Sequence, residues 1–134
     1  MKYMKKIILI LALTLLLSPT GWSKWVEVVI METGNSYYVD DGRIKKIGKY
    51  IYYWVLEDFL RPDEWGDMSN MIYKEVDCEM LRYKHLKFIT YKQPMGKGTA
   101  NANMIPPDRW YYPPSNTTFE HITNIVCDYV DKIT

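Results

Sequence analysis

The sequence predicts an α+β fold, in which an antiparallel β-sheet of about five to six strands packs against one C-terminal α-helix. Apolar and polar residues alternate along several short runs between Trp25 and Lys92, and this pattern is typical of strands. A helical apolar period appears near the C-terminus. The two cysteines, Cys78 and Cys127, fall in these two parts of the chain, so a disulfide between them would join the helix to the sheet.

The N-terminus has the pattern of a signal peptide, which we assign to residues 1–23. Three lysines precede an apolar run of about eleven residues, Ile7 to Leu17, and small and helix-breaking residues follow it. This run is shorter than the roughly 20 residues that span a membrane, and an uncleaved membrane anchor is the alternative interpretation. The mature chain is then one domain of residues 24–134, delivered to an exported location.

Removal of the signal peptide changes the charge balance of the chain. The peptide contains three of the 17 basic residues and none of the 16 acidic ones, so the mature chain has a net charge of −2. A nearly neutral domain has no electrostatic basis for binding nucleic acid or an anionic membrane. We therefore expect no nucleic-acid partner, and no membrane insertion after cleavage.

The first half of the mature chain predicts a hairpin followed by a long central strand. Trp25 to Met31 is rich in β-branched residues, and Tyr37 to Asp40 follows it after a glycine-containing turn. Arg43 to Lys46 is a short extended piece. Tyr50 to Phe59 is apolar on both faces, so we expect it to be central, with a helix on one side and loops or a partner on the other.

The run from Met71 to Lys92 is predicted to form a strand pair. Its alternation slips around Leu81 and then restarts. A turn or a bulge between Glu79 and Arg82 would explain the slip, and one long bent strand is the alternative.

The C-terminal third predicts a loop and then the helix. Asn101 to Pro114 contains four prolines that exclude a helix, so we expect an ordered loop that could include one short edge strand. Thr117 and Glu120 have capping-box spacing, and apolar residues then recur at helical spacing. We predict a helix from Thr117 to Asp131 with Cys127 on or beside its apolar stripe, which would face the sheet.

The two cysteines are predicted to form a disulfide. An oxidising compartment favours the single possible pairing of Cys78 with Cys127, and a loop of 49 residues should stabilise the fold by about 4 kcal/mol. A metal site is the rival interpretation, but two cysteines without histidines at ligand spacing are too few ligands.

No catalytic constellation is visible in the sequence. The two histidines, His85 and His121, have no nucleophile or carboxylate at a suggestive spacing. The segment Gly96 to Thr99 lacks the spacing of a phosphate-binding loop. We therefore expect no enzyme activity, no metal site and no cofactor.

A basic cluster beside the cysteine-bearing strand is the best binding candidate. Arg82, Lys84, His85 and Lys87 could contact an acidic or sulfated partner, whereas an ordinary solvated strand face is the structural alternative. Tyrosine is also enriched, with 11 of 12 in the mature chain. These rings could form a stacking surface for sugars or a partner, or simple cross-strand pairs.

The order of several short motifs resembles the bacterial surface-adhesin protein E family. The matching residues are Tyr37 to Asp40, Ile44, Gly48, Trp54, Val55, Val76 to Cys78, Arg82, Pro94 to Gly96, Gly98, Trp110 and Ile125 to Cys127. The resemblance covers nearly the whole mature chain. It implies an antiparallel sheet tied by a disulfide to a C-terminal helix, in a protein of a Gram-negative bacterium. It also implies binding to host extracellular-matrix proteins such as vitronectin and laminin.

Two functions follow from these observations. The first is an exported, non-enzymatic binding module that resembles a surface adhesin. The second is a soluble periplasmic protein with a structural or inhibitory role toward another envelope component. This chain lacks the lipid-attachment cysteine of the adhesin, so its location is periplasmic, secreted or at the cell surface. The sequence does not determine the oligomeric state or the strand order.

Overall fold

A seven-stranded antiparallel sheet and one helix make up the fold, and a computed structural model describes residues 24–133. The elements are β1 (Trp25–Ile30), β2 (Ser36–Asp40), β3 (Lys45–Ile47), β4 (Tyr50–Asp58), β5 (Ser69–Asp77), β6 (Arg82–Tyr91), β7 (Ala100–Met104) and α1 (Thr118–Ile133). The strands run in the order β1-β2-β4-β5-β6-β7, and β3 pairs with β4 beside this path. The signal peptide predicted for residues 1–23 lies outside the described residues.

The α+β fold is confirmed, and the sheet has one or two strands more than expected. The short extended piece after β2 becomes β3, whose three residues pair with Tyr50 to Tyr52 of β4. The predicted loop after β6 contributes β7 as an edge strand. Neither segment has the β-branched alternation that identifies a strand, because three residues are too few and β7 reads Ala-Asn-Ala-Asn-Met.

The strand pair β5–β6 has both a turn and a bulge. Residues 78–81 form the turn between the strands, and Leu81 there has a positive φ of 49°. This confirms the turn predicted between Glu79 and Arg82. A separate shift of register follows, because Tyr73 pairs with Lys87 while Lys74 pairs with His85. Leu86 is therefore an extra residue, which reverses the alternation of β6 beyond it.

The helix α1 covers one face of the sheet, as predicted. Thr117 Oγ1 accepts a hydrogen bond from the Glu120 N–H, as in a capping box, while Glu120 Oε1 accepts one from the N–H of Asn116, the residue before the cap. Ile122 and Val126 are fully buried against the strands. The remaining core residues come from the facing sides of four strands and the helix, namely Tyr37, Val39, Ile51, Tyr53, Val55, Val76, Tyr83, Cys127 and Val130.

The predicted disulfide between Cys78 and Cys127 is confirmed. Their Cα atoms are 5.8 Å apart, within the range that a disulfide requires. Cys78 follows directly after β5, at the start of the turn into β6, and Cys127 lies on the buried side of α1. The bond therefore ties the helix to one end of the central strands.

Candidate binding face of the sheet

The face of the sheet that points away from α1 collects most of the predicted binding residues. Strand alternation places the side chains of β4, β5 and β6 on this outer face at every second position. We define the outer face by Tyr50, Tyr52, Trp54, Tyr73, Glu75, Asp77, Arg82, Lys84 and Lys87. The helix α1 covers β4 on one side, as expected; on the other side the loop residue Trp110 packs on Tyr50 and Gly96 lies beside Leu56, while Tyr52 and Trp54 stay partly exposed.

Trp110 packs onto one end of the outer face between two basic side chains. The guanidinium of Arg82 is 4.3 Å and the ammonium of Lys84 is 4.6 Å from the ring centroid of Trp110. The ring of Tyr50 is 5.4 Å away from it. Trp110 is held there because Tyr111, the next residue, forms an antiparallel bridge with Tyr83. The indole and the two cations form one cation–π assembly.

Ion pairs fix the same two cations. Arg82 Nε lies 3.0 Å from Asp77 Oδ2, and Lys84 Nζ lies 2.9 Å from Asp108 Oδ1. The hydrogen bond to Asp108 raises the pKa of Lys84. Burial favours a higher pKa for Asp77, but hydrogen bonds from the Met80 N–H and from Arg82 outweigh it, so the pKa of Asp77 is lowered. Arg82 and Lys84 therefore also hold residues 108–112 in place.

A row of aromatic rings continues across the outer face. Trp54 and Tyr73 stack at 4.9 Å between centroids, and the guanidinium of Arg43 lies 5.6 Å from the Trp54 ring. The Tyr52 hydroxyl donates a 2.7 Å hydrogen bond to Glu75 Oε2, which raises the pKa of Tyr52 to about 12. Tyr52, Trp54 and Tyr73 are all only partly buried, so the surface offers flat rings and charges together.

Lys87 is the most available cation of the predicted cluster. It lies opposite Tyr73 on the outer face, because the extra residue Leu86 shifts the alternation of β6. No ion pair of Lys87 is present among residues 24–133, in contrast to those of Arg82 and Lys84. Its charge is therefore free to meet a partner.

His85 lies on the opposite face of the sheet, the side on which α1 packs. Its ring contacts Tyr83 and Tyr111 edge-on, with 5.2 Å between the centroids in both cases. Burial, and then the charge of nearby Lys74, lower the pKa of His85 to about 4. The structure thus brings Arg82, Lys84 and Lys87 together and separates His85 from them. The alternation of side chains along β6 already predicts that His85 is separated from Lys84, since positions 84 and 85 point to opposite faces. The binding role of all four residues stays a prediction.

A buried lysine is the feature that sequence reasoning missed. Lys74 has no exposed surface, and its ammonium lies 4.2 Å from the ring centroid of Tyr83 and 4.7 Å from that of Phe119. Its Nζ has no hydrogen-bond partner in the described part of the chain. Burial lowers the pKa of Lys74 to about 7. The only signal in the sequence was its position on the same strand face as Ile72 and Val76.

No group of three or more histidine, cysteine or carboxylate side chains in residues 24–133 has a geometry that could hold a metal ion. No helix in the described range is long and apolar enough to cross a membrane.

Comparison with known proteins finds the family that the motifs suggested. The family model described as surface-adhesin protein E matches residues 22–128. Crystal form II of Haemophilus influenzae protein E superposes with a TM-score of 0.59 and 16% sequence identity, covering 84% of this chain and 95% of that chain. Protein E from non-typeable Haemophilus influenzae gives 0.55 and 15%, covering 87% and 84%. At such identities the structural likeness shows a shared fold. No curated protein matches.

Proposed function

This chain belongs to the surface-adhesin protein E family, and on that premise we propose that it is an exported, non-enzymatic module that binds a protein partner through its outer face. The partner that we propose is a host extracellular-matrix protein. Residues 1–23 would act as the signal peptide, and residues 24–134 would be the mature domain.

The observation that carries this proposal is the combination of cations and flat aromatic rings on the sheet face opposite α1. Arginine, tryptophan and tyrosine are enriched among the residues that contribute most to protein interfaces. Tyrosine and tryptophan provide large, rigid contact areas at a low cost in conformational entropy. Here Arg82 and Trp110 form one unit and Trp54 with Tyr73 forms another. The rings are held by ion pairs and stacking before any partner arrives, so little conformational entropy remains to be lost on binding.

Lys87 offers the sharpest test of this surface. Reversing Lys84 would break its ion pair with Asp108, and reversing Arg82 would break its ion pair with Asp77 and its hydrogen bond to the Tyr112 hydroxyl. Loss of binding in either variant could therefore reflect loss of structure. Lys87→Glu changes the charge of the outer face without breaking an ion pair recorded for residues 24–133. Lys132→Glu makes the same change at an exposed position near the end of α1, on the other side of the sheet.

The experiment measures binding of residues 24–134 to immobilised vitronectin and laminin by surface plasmon resonance. We expect Lys87→Glu to weaken binding at least about tenfold, a loss of about 1.4 kcal/mol, and Lys132→Glu to leave it unchanged. Absence of binding to both matrix proteins would remove the host-matrix partner. Equal affinities for the two variants would remove the outer face as the binding surface.

The location of the protein separates this function from the alternative. We propose display at the surface of, or secretion from, a Gram-negative cell, with no nucleic-acid partner and no membrane insertion after cleavage. Cell fractionation and protease treatment of intact cells distinguish the cases. Protease-accessible or released protein agrees with an adhesin. Protein found only in the soluble periplasm would favour a structural or inhibitory role toward another envelope component.

A further inference from the structure

A second site lies on the helix side of the sheet, beyond the end of the core. A cavity of about 520 Å³ opens there between the strands β5 to β7 and the loop that carries Trp65. Its volume lies within the range of about 300–1,000 Å³ that is usual for ligand pockets. The core residues beneath α1 do not include Phe88 or Thr90 of its wall, so the helix leaves this part of the sheet open.

The walls of the cavity combine apolar surface with acidic groups. Trp65, Phe88 and Met104 supply apolar and aromatic surface, and Trp65 is 68% exposed at the rim. The carboxylates come from Asp63 and Asp67, and no basic side chain lines the cavity within the described residues. This composition favours a side chain with an apolar aliphatic part and a cationic end group, since a cation is attracted both by carboxylates and by the face of an aromatic ring.

Two buried side chains in the wall retain unused hydrogen-bonding capacity. Asn70 and Thr90 are only 6% and 9% exposed, and both line the cavity. The Asn70 amide donates to Glu57 Oε1 at 3.2 Å, but Asn70 Oδ1 and Thr90 Oγ1 have no partner among residues 24–133. Buried polar atoms are normally paired. Amide and hydroxyl oxygens can accept hydrogen bonds, and a guanidinium provides five donors and no acceptor.

The acidic side of the cavity is rigid. Asp63 Oδ1 accepts hydrogen bonds from the N–H groups of Trp65 and Asp67 at 3.0 and 2.8 Å, which closes the loop on itself. Asn101 of β7 donates to Asp67 Oδ1 at 2.9 Å and ties the loop to the sheet. Outside the cavity wall, Lys92 Nζ donates to the Trp65 carbonyl at 2.6 Å and lies 3.6 Å from Asp67 Oδ1. Lys92 therefore already pairs with Asp67, and among the described residues Asp63 is the carboxylate of the wall that has no ion pair.

The free edge of the sheet borders the same cavity. β7 pairs with β6 on one side and with no other strand of residues 24–133 on the other. Its sequence contains neither the charges nor the proline that usually protect an edge strand. Ala102, with a single methyl group, is the wall residue at the middle of β7. An added strand would therefore place side chains next to the opening, and such pairing is a common mode of peptide recognition.

From these features we propose that the cavity and the free edge of β7 together form a binding site for an extended peptide segment of another protein, with one arginine or lysine side chain inserted in the cavity. The backbone of the peptide pairs with β7, and the basic head meets Asp63 and the unpaired oxygens of Asn70 and Thr90. This site is separate from the outer face, so it goes beyond the function proposed above.

The first test uses acetylated heptapeptides of the form Thr-Val-Thr-X-Thr-Val-Thr, titrated into residues 24–134 by isothermal calorimetry. With arginine at X we expect binding at least about tenfold tighter than with citrulline, which has the same shape but no charge. Methylation of alternate backbone nitrogens should abolish binding, because it blocks strand pairing. Equal binding of the arginine and citrulline peptides, or no binding of either, would overturn the proposal. If arginine methyl ester bound as tightly as the peptide, the site would be one for a small molecule and the peptide proposal would be wrong.

A pair of variants on β7 locates the binding. Ala102→Phe fills the cavity, whereas Asn103→Phe places the same ring on the opposite face of the same strand, since Asn103 pairs with Ile89 of the outer face. We expect Ala102→Phe to abolish binding of the arginine peptide and Asn103→Phe to retain it, with both variants folded by circular dichroism. Retained binding in Ala102→Phe would refute the cavity as the site. Lys87→Glu should leave peptide binding intact, which keeps this result independent of the outer-face proposal.

Discussion

Replacing the buried Lys74 tests whether the burial of its charged ammonium group lowers the free energy of unfolding. Lys74 lies with no exposed surface between the rings of Tyr83 and Phe119. Methionine has a similar length, fills the same space and contacts aromatic rings favourably. We therefore expect Lys74→Met to fold and to differ from the natural chain chiefly in how its stability depends on pH.

The magnitude follows from the pKa of Lys74, which burial lowers from 10.5 to about 7. Below pH 7 the lysine is protonated in both the folded and the unfolded chain, so its full destabilisation is present. Between about pH 7 and 10.5 the unfolded chain binds the proton and the folded chain does not, so stability rises with pH. Each pKa unit corresponds to about 1.36 kcal/mol, which makes the whole effect about 5 kcal/mol. The cation–π contacts with the two rings reduce it by about 1–2 kcal/mol.

Urea unfolding followed by tryptophan fluorescence at pH 7, 8 and 9 measures this effect. This pH range lies above the one in which His85 changes the free energy of unfolding, because the pKa of His85 in the folded chain is about 4. From pH 7 to 9 we expect the natural chain to gain about 2 kcal/mol relative to Lys74→Met. Lys132→Met, at an exposed position, should follow the natural chain. Parallel stability curves for the natural chain and Lys74→Met would refute the argument that burial holds the lysine near neutrality.

Two further predictions concern the covalent and backbone constraints. Replacing both Cys78 and Cys127 by serine should lower the free energy of unfolding by about 4 kcal/mol, measured by urea unfolding, because the 49-residue separation sets the entropy of the open chain; an unchanged midpoint would contradict this. Gly96→Ala should lower the free energy of unfolding by about 1–2 kcal/mol, because the backbone φ of 63° is unfavourable for alanine. A further loss is expected because the new Cβ would lie 2.9 Å from Met71 Sδ. Gly48→Ala has the same φ with nothing within 4 Å, so thermal unfolding of the two variants separates the contact from the backbone strain; equal losses would show that the Met71 contact contributes nothing.

Local patterns gave the correct fold class because each of them acts over a few residues. The alternation of Ile51, Tyr53 and Val55 identified β4, and the spacing of Thr117 and Glu120 identified the start of α1. β3 was predicted only as a short extended piece and β7 only as an edge strand that a loop could include, because their pairing depends on a neighbouring strand rather than on their own composition. The basic cluster was predicted as one group, and the bulge at Leu86 decided which of its members share a face.

The sequence by itself determined the antiparallel sheet, the C-terminal helix, the disulfide and the family. These depend on residue periodicity, on turn and cap residues, and on the presence of only two cysteines. Tertiary structure alone decided that Trp110 covers Arg82 and Lys84, that Lys74 is buried, and that a cavity opens beside β7. Each of these features joins residues that are far apart in the chain, and their contacts depend on strand register and on what the helix leaves uncovered. No local pattern carries that information, because packing between distant segments determines it.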